Sequence, residues 1–353
     1  MCLNETMCLK ETMCLNETMC LEEAMVPDWS KRERLEAAIA GEAVDRLPVA
    51  LWRHWPGDDQ DAKALAAAHL SWQKAYDWDL VKVSPASSYC LVDWGVADRW
   101  RGDPEGTREY TRRVVHDPED WANLEPLDPG AGMLATQIEV LRLLRQEFGE
   151  EVPLLATIFS PLAQAKNLSG GERMLSHMRS HPDLFRQGLR TITETTLRYV
   201  EAARQAGVSG IYYAVQHARY ARMSPVEYQT FGQPFDEPIL DEASDLPLNM
   251  LHLHGEGVMF DMVADYDVPM LNWHDRDAGI SLQEGLEQFS GAASGGVSRD
   301  TMHLGLAEDV LSEATDAREQ TNGRRLVLGA GCVVMTNTPL RNIRALRNFA
   351  QNG

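Results

Sequence analysis

The chain has 353 residues, and its 33 Lys and Arg residues against 53 Asp and Glu residues give a net charge of −20. A surface this acidic repels phosphate backbones and anionic lipids, so we expect neither nucleic acid nor membrane as a partner. No apolar run approaches the roughly 20 residues of a membrane span, and no signal peptide opens the chain. The composition leaves open a local basic pocket for an anionic substrate.

The first residues form a repeat rather than a folding pattern. Residues 1–24 read MCLNET, MCLKET, MCLNET and MCLEEA, a unit of six residues present four times. Six matches neither the helical nor the strand period, so we expect a disordered tail at 1–24 and a single domain at 25–353. A thiol metal site in the tail is the less favoured alternative. The body then contains two cysteines, Cys90 and Cys332, which fits a reducing cytoplasm.

From residue 30 onward, short apolar runs rich in β-formers alternate with longer segments of helical periodicity. Eight runs are predicted as strands: Leu47–Trp52, Asp79–Ser84, Pro153–Phe159, Gly210–Gln216, Pro247–His254, Val268–His274, Ala292–Ser298 and Arg325–Val333. Helices are predicted between them at 61–76, 131–149, 171–180, 183–206, 224–244, 281–290 and 306–321.

This alternation predicts parallel strands joined by helices, and eight repeats close a barrel. We therefore predict the α/β class and a single TIM-like (β/α)8 barrel. A doubly wound open sheet is the alternative, but the Gly-rich phosphate turn typical of it is missing after the first strand. The long segment 85–152 is predicted to form a lid or side wall.

Histidines concentrate at the predicted C-terminal strand ends, where barrels of this type carry their active sites. Five of the ten histidines fall there, namely His54, His217, His252, His254 and His274. His252 and His254 are two apart on one strand, so their side chains point to the same side. With Cys332 from the last strand they match the N/S ligand set of a catalytic zinc. The alternative is a hydrogen-bonded core histidine beside a small buried thiol.

Other strand-end residues are candidates for contacts with a substrate. Arg53 suits a bidentate clamp on a carboxylate or phosphate, or an ion pair with Asp58 or Asp59 at the rim. Gln216 and His217 are placed to hydrogen-bond a substrate, or to lie at the rim. Trp273 is a candidate wall for a flat ligand, although packing is favoured for it.

Three segments together resemble the uroporphyrinogen decarboxylase superfamily, from about residue 30 to the C-terminus. They are RLPVALWRH near the start, LHLHGEG on the fifth strand and LVLGAGCVVMTNTPLRNIRAL on the eighth. The resemblance implies a (β/α) barrel. The superfamily includes uroporphyrinogen decarboxylases and the zinc enzymes that move methyl groups between cobalamin and thiols.

The chain differs from the decarboxylases at the positions of their substrate-binding and catalytic residues. Of their two arginines four residues apart, only Arg53 is present, and Gly57 stands at the second position. VSPASS replaces the segment with their catalytic aspartate, and Gly329-Ala330-Gly331 replaces their Gly-His-Gly. Decarboxylation of a highly carboxylated tetrapyrrole is therefore disfavoured, since its transition state requires charge stabilisation.

The methyltransferase branch fits better. Its zinc ligands, a His-x-Cys pair and a later cysteine, correspond to His252, His254 and Cys332, with one cysteine changed to histidine. One thiolate and two imidazoles leave about +1 on a zinc site that two thiolates would neutralise. This difference puts coenzyme M in doubt as the thiol acceptor and leaves other heteroatom acceptors open.

The resemblance thus implies a zinc-dependent methyltransferase that moves a methyl group between a corrinoid and a thiol or other heteroatom. The corrinoid is expected on a partner protein, and Arg53, Gln216, His217, Trp273 and His274 are expected to orient the substrate. Two alternatives remain: a metal-free decarboxylase of the uroporphyrinogen type, and a non-catalytic protein that binds a tetrapyrrole or corrinoid. A monomer or homodimer is expected.

Overall fold

A computed structural model describes residues 29–352, so the repeat predicted as a tail at 1–24 lies outside the described residues. The strands are β1 (Val81–Lys82), β2 (Ala97–Arg99), β3 (Glu109–Arg112), β4 (Leu154–Phe159), β5 (Gly210–Val215), β6 (Met250–Leu253), β7 (Met270–Trp273), β8 (Ala292–Val297) and β9 (Leu326–Ala330). No helix among the described residues is both long and apolar enough to cross a membrane.

The helices alternate with the strands along the chain. They are α1 (Lys31–Ile39), α2 (Ala62–Tyr76), α3 (Gly132–Phe148), α4 (Pro161–Ser169), α5 (Gly171–Ser180), α6 (Pro182–Gln205), α7 (Pro225–Phe231), α8 (Gln233–Glu242), α9 (Leu282–Gln288), α10 (Arg299–Leu304), α11 (Ala307–Thr321) and α12 (Leu340–Asn352).

Seven strands form one parallel sheet in the order β1-β4-β5-β6-β7-β8-β9, so each strand pairs with the next one in the chain apart from the β2–β3 hairpin. The residues of these strands are buried on both faces, which is typical of a parallel sheet covered by helices. The sheet curls into a barrel, and the predicted α/β barrel class is confirmed.

The first predicted strand, Leu47–Trp52, closes the barrel without forming a regular ladder. Val49 makes a single parallel bridge to Leu328 of β9. On the other side, the N–H of Val49 donates to the carboxylate of Asp79 at 2.8 Å instead of to a main-chain carbonyl. Pro48 has no N–H to donate. The prediction of a strand here is therefore wrong in detail, although the segment occupies the eighth position of the barrel.

The helix predicted over 224–244 is also corrected, because the structure divides it at Gly232 into α7 and α8. Pro234 is the second residue of α8 and lacks the N–H that a continuous helix would use. A Cβ on Gly232 would lie 2.3 Å from the ring of Tyr228, so the chain passes closely here. Four helices, α1, α4, α10 and α12, were not predicted.

The segment 85–152 folds into the β2–β3 hairpin and α3, and the hairpin loop is fastened to the C-terminal end of the barrel. The carboxylate of Glu105 pairs with Arg299 at 2.6 Å. The N–H of Thr336 donates to the carbonyl of Pro104 at 2.7 Å. Glu105 and Thr107 line a cavity at the barrel mouth, so this segment forms part of the side wall.

Candidate metal centre

Two imidazoles and a thiol meet inside the C-terminal end of the barrel. His252 lies on β6, His254 follows that strand, and Cys332 comes two residues after β9. The Sγ atom of Cys332 is 3.8 Å from Nε2 of His252 and 3.7 Å from Nδ1 of His254. Tetrahedral ligands with ordinary zinc bond lengths are about 3.6 Å apart. The three residues are thus spaced as ligands of one ion.

His274 joins this group from the end of β7. One ligand atom from each of His252, His254, His274 and Cys332 lies within 4.8 Å of the others. Nε2 of His274 is buried and has no hydrogen-bond partner within the described part of the chain. A buried polar atom without a partner is costly, and coordination of a cation would remove that cost. The sequence interpretation placed His274 among the substrate contacts, and its distance from the other three residues also allows it to be a fourth ligand.

The orientation of His252 is set by Asn272 on the neighbouring strand. Nδ1 of His252 lies 2.6 Å from Oδ1 of Asn272. The amide nitrogen of Asn272 donates to the carbonyls of Ser294 and Ala330, so its oxygen must face the histidine. Nδ1 therefore carries the proton, and the lone pair of Nε2 points at Cys332.

Burial keeps the three imidazoles in the form that binds metals. It lowers the pKa of His254 to about 3 and that of His274 to about 4, with a smaller effect of neighbouring positive charge in each case. The pKa of His252 is lowered well below its ordinary value by burial and by the other two histidines. Neutral imidazoles are the ligand form.

The thiol of Cys332 has the opposite behaviour, because burial raises its pKa to about 11. Without a cation this thiol is protonated at neutral pH, and a bound zinc ion would deprotonate it. Soft sulfur and imidazole nitrogen together favour zinc over the hard cations magnesium and calcium. The donor set therefore fits zinc.

A cavity of about 620 Å³ opens above the group and is lined by His252, His254 and Cys332 at its floor. Lys82 of β1 also lines it, 3.1 Å from Oγ of Ser84 and 4.8 Å from the centre of the Tyr212 ring. Burial lowers the pKa of this lysine to about 7. A lysine inside the run DLVKVS was the available sequence signal, and the sequence analysis missed it.

Gln216 and His217, both predicted to contact substrate, line the cavity. His217 is buried, its Nδ1 atom has no partner among the described residues, and burial lowers its pKa to about 3. His54, another histidine of the predicted strand-end set, lines the same cavity.

Arg53 and Trp273 point elsewhere. Arg53 donates to the carbonyl of Thr336 at 2.8 Å, and its guanidinium lies 4.3 Å from the centre of the Trp55 ring. Trp273 is fully buried behind the sheet, where its indole N–H donates to the carbonyl of Ile280 at 2.9 Å. Because Asn272 faces the barrel interior, its neighbour Trp273 must face the helices. Neither residue is among those that line the cavity, so the structure does not bring them to the other predicted site residues.

Comparison with known proteins places these features in a family. Residues 30–353 match the sequence profile of the family described as Uroporphyrinogen decarboxylase (URO-D). The chain is 20% identical to a methylcobamide:CoM methyltransferase, MtbA, of Methanosarcina acetivorans over 92% of this chain and 98% of the relative. It is 25% identical to MtaA of Methanosarcina barkeri over 90% of this chain and 97% of the relative.

A uroporphyrinogen decarboxylase of Prochlorococcus marinus is 22% identical over 68% of this chain and 70% of its own length. Among solved structures, a methyltransferase from Methanosarcina mazei superposes with a TM-score of 0.78 at 21% identity, covering 92% of this chain and 99% of that one. This structural likeness supports the barrel fold.

Proposed function

The chain belongs to the uroporphyrinogen decarboxylase family, and we propose that within it this protein is a zinc-dependent methyltransferase that moves a methyl group between a corrinoid and a thiol or other heteroatom acceptor. The observation that carries the proposal is the group of four N/S ligand atoms within 4.8 Å of one another at the barrel mouth. The relatives that match it over nearly their full length are named as methylcobamide methyltransferases.

His252, His254 and Cys332 would hold the zinc ion, and His274 would be the fourth protein ligand. A zinc ion held there would supply Lewis acidity, which would lower the pKa of an acceptor heteroatom and favour its nucleophilic form near neutral pH. The imidazole ligands are neutral because they are buried, and Asn272 fixes the ring of His252.

The remaining polar residues of the cavity would bind and orient the substrate. Gln216 and His217 line one part of the wall, and Lys82 lies near the floor. The ammonium group of Lys82 has no carboxylate within ion-pair distance among the described residues. It would offset the negative charge of the acceptor beside the thiolate of Cys332. Glu105 of the hairpin loop lines the same cavity and pairs with Arg299.

The corrinoid would be presented at the open end of this cavity, on a partner protein. We also propose that residues 25–353 act as one functional domain, since the barrel spans the described chain. Metal-free decarboxylation is less well supported, because Arg53, the one arginine at the decarboxylase-like position, is directed away from the cavity.

Metal analysis of purified variants tests the proposal. Protein produced in zinc-replete medium should contain about one zinc per chain. Cys332→Ala should lose most of it because the only sulfur ligand and the only negative charge of the group are removed, and His254→Ala should hold it less tightly because an imidazole ligand is removed. Cys90→Ala is the matched control, since Cys90 is the other free, buried cysteine of the described chain and does not line the cavity.

Methyl transfer from methylcobalamin to small thiols, followed by the cobalamin absorbance, should track zinc content across the same proteins. Zinc-free wild type would overturn the proposal, as would turnover that a chelator does not affect. Chelator-insensitive loss of carboxylate from a porphyrinogen would indicate the decarboxylase alternative instead.

A further inference from the structure

One wall of the cavity is strongly positive although the chain as a whole carries a net charge of −20. Four cationic side chains, Arg113, Lys166, Arg219 and Arg222, line this wall, which we call the cationic wall. They come from different parts of the chain: Arg113 follows β3, Lys166 lies on α4, and the other two follow β5. The barrel therefore gathers them at one place.

Two arginines elsewhere at the cavity are paired with carboxylates. Arg108 binds the carboxylate of Asp59 at 2.5 Å, and Glu105 binds Arg299 at 2.6 Å. Within residues 29–352, by contrast, none of the four cations of the cationic wall forms an ion pair with a carboxylate. Glu256 exerts a weak attraction on Arg219, and the exposed Glu172 lines the cavity. These two acids do not neutralise four cations.

Main-chain carbonyls hold two of the arginines in place without neutralising them. Arg113 donates to the carbonyl of Asn167 at 2.5 Å, and its guanidinium lies 4.7 Å from the centre of the Tyr110 ring. Arg219 donates from Nε to the carbonyl of Glu256 at 3.0 Å. Positioned donors with uncompensated charge are a common arrangement for binding an oxyanion.

The charges of the cationic wall act on one another and on His217. Burial lowers the pKa of Lys166, and the neighbouring charges of Arg113 and Arg222 lower it further. Nδ1 of His217 is buried and has no partner in the described part of the chain. Like charges gathered around a half-buried lysine repel one another, which is unfavourable. A bound anion would attract the same charges and make the net electrostatic interaction favourable.

We propose that the cationic wall binds an oxyanion group with two negative charges, such as a phosphate monoester or a pair of carboxylates. The group belongs to the substrate whose reacting heteroatom lies at His252, His254 and Cys332 on the floor of the same cavity. The anion site stands on its own, whereas its assignment to the methyl-group substrate rests on the proposed function. A singly charged group would leave most of the positive charge of these four cations uncompensated.

Calorimetric titration at pH 8 with paired probes tests the charge requirement. Ethyl phosphate is a dianion at this pH and ethyl sulfate is a monoanion of the same shape, so they differ in charge alone. Succinate and butyrate form a second pair for carboxylates. We expect one dianion to bind about tenfold or more tightly than its monoanionic partner, because a hydrogen bond to a charged group contributes that much.

Lys166→Gln and Arg222→Gln should each lower the affinity for the tighter-binding dianion about tenfold. They should also reduce the ratio of its affinity to that of the monoanion. Arg222 is exposed, so its replacement leaves the fold intact even if Lys166→Gln does not. Arg142→Gln is the control, because Arg142 is exposed on α3 and does not line the cavity.

The titrations are made on full-length protein both before and after removal of zinc by a chelator. Dianion binding that persists without zinc supports the cationic wall even if the methyltransferase proposal fails. Equal affinity for both members of each probe pair would overturn the inference. Affinities unchanged in Lys166→Gln and Arg222→Gln would overturn it as well.

Discussion

The side-chain oxygen of Asn272 accepts a hydrogen bond from Nδ1 of His252 at 2.6 Å, and this contact directs Nε2 of the same ring at the thiol of Cys332. Tyr212 donates to the same oxygen at 3.1 Å. A hydrogen bond of this kind fixes the tautomer of a metal ligand and raises its basicity.

Replacing Asn272 should therefore weaken zinc binding while all four ligands remain. We expect Asn272→Leu to lower zinc affinity about 10- to 100-fold, measured by competition with a chromogenic chelator. Asn272→Asp keeps an acceptor for His252, so its zinc affinity should fall less than that of Asn272→Leu. Equal zinc affinity in Asn272→Leu and wild type would show that the contact does not orient the ligand.

His274 should contribute less to zinc binding than Cys332. Three protein ligands suffice for a catalytic zinc site, so His274→Ala should retain about one zinc per chain with reduced affinity. Cobalt substitution should show a changed visible spectrum in this variant, because one nitrogen ligand is replaced by water. If the spectrum and the affinity match those of wild type, His274 is not a ligand.

Asp79 should be a major contributor to stability, since it joins the closing segment to the barrel. Its carboxylate is fully buried between Arg34 at 2.8 Å and Arg46 at 2.7 Å, and it accepts the N–H of Val49. Asp79→Asn should lower the free energy of unfolding by about 3–5 kcal/mol, because Arg46 is left buried without a charged partner.

Asp77→Asn is the matched control for that substitution. Asp77 pairs with Lys31 and Arg347 at the surface, its side chain is 59% exposed, and Asn tolerates its positive φ of 52°. Asp77→Asn should lower the free energy of unfolding, measured by urea denaturation, by less than about 1 kcal/mol. Similar costs for both variants would contradict the structural role of Asp79.

Asp236 should make stability depend on pH between about 4 and 6. Burial raises its pKa from 3.8 to about 6, although the hydroxyls of Tyr213 and Tyr228 donate to it. The folded state then binds the proton more tightly than the unfolded state, so this contribution is present below pH 4 and is lost as pH rises through 6.

The free energy of unfolding of wild type, relative to Asp236→Asn, should fall by on the order of 3 kcal/mol across this range. Comparison with the variant removes the titration of all other groups. A difference that is constant with pH would mean that the carboxyl of Asp236 does not titrate there.

Seven of the eight predicted strands appear in the sheet, because runs buried on both faces have a distinctive composition. Because the ends of these strands could be located in the sequence, His252, His254 and Cys332 could be assigned to the C-terminal end of the barrel. The sequence did not establish which way Trp273 faces, because the inward or outward direction of a strand's final residue depends on its pairing with neighbouring strands. The sequence also could not place Arg53, whose guanidinium lies over Trp55 and donates to the carbonyl of Thr336.

By itself, the sequence determined the alternation of strands and helices and the placement of an H-x-H pair and a cysteine at strand ends, since both depend on local periodicity. Tertiary structure decided three other features: closure of the barrel through Asp79, the arrival of His274 beside His252, His254 and Cys332, and the meeting of Arg113 and Lys166 with Arg219 and Arg222. These depend on Coulomb interactions and on hydrogen bonds between residues far apart in the chain. Such contacts leave no period in the sequence, because only the closed barrel brings the residues together.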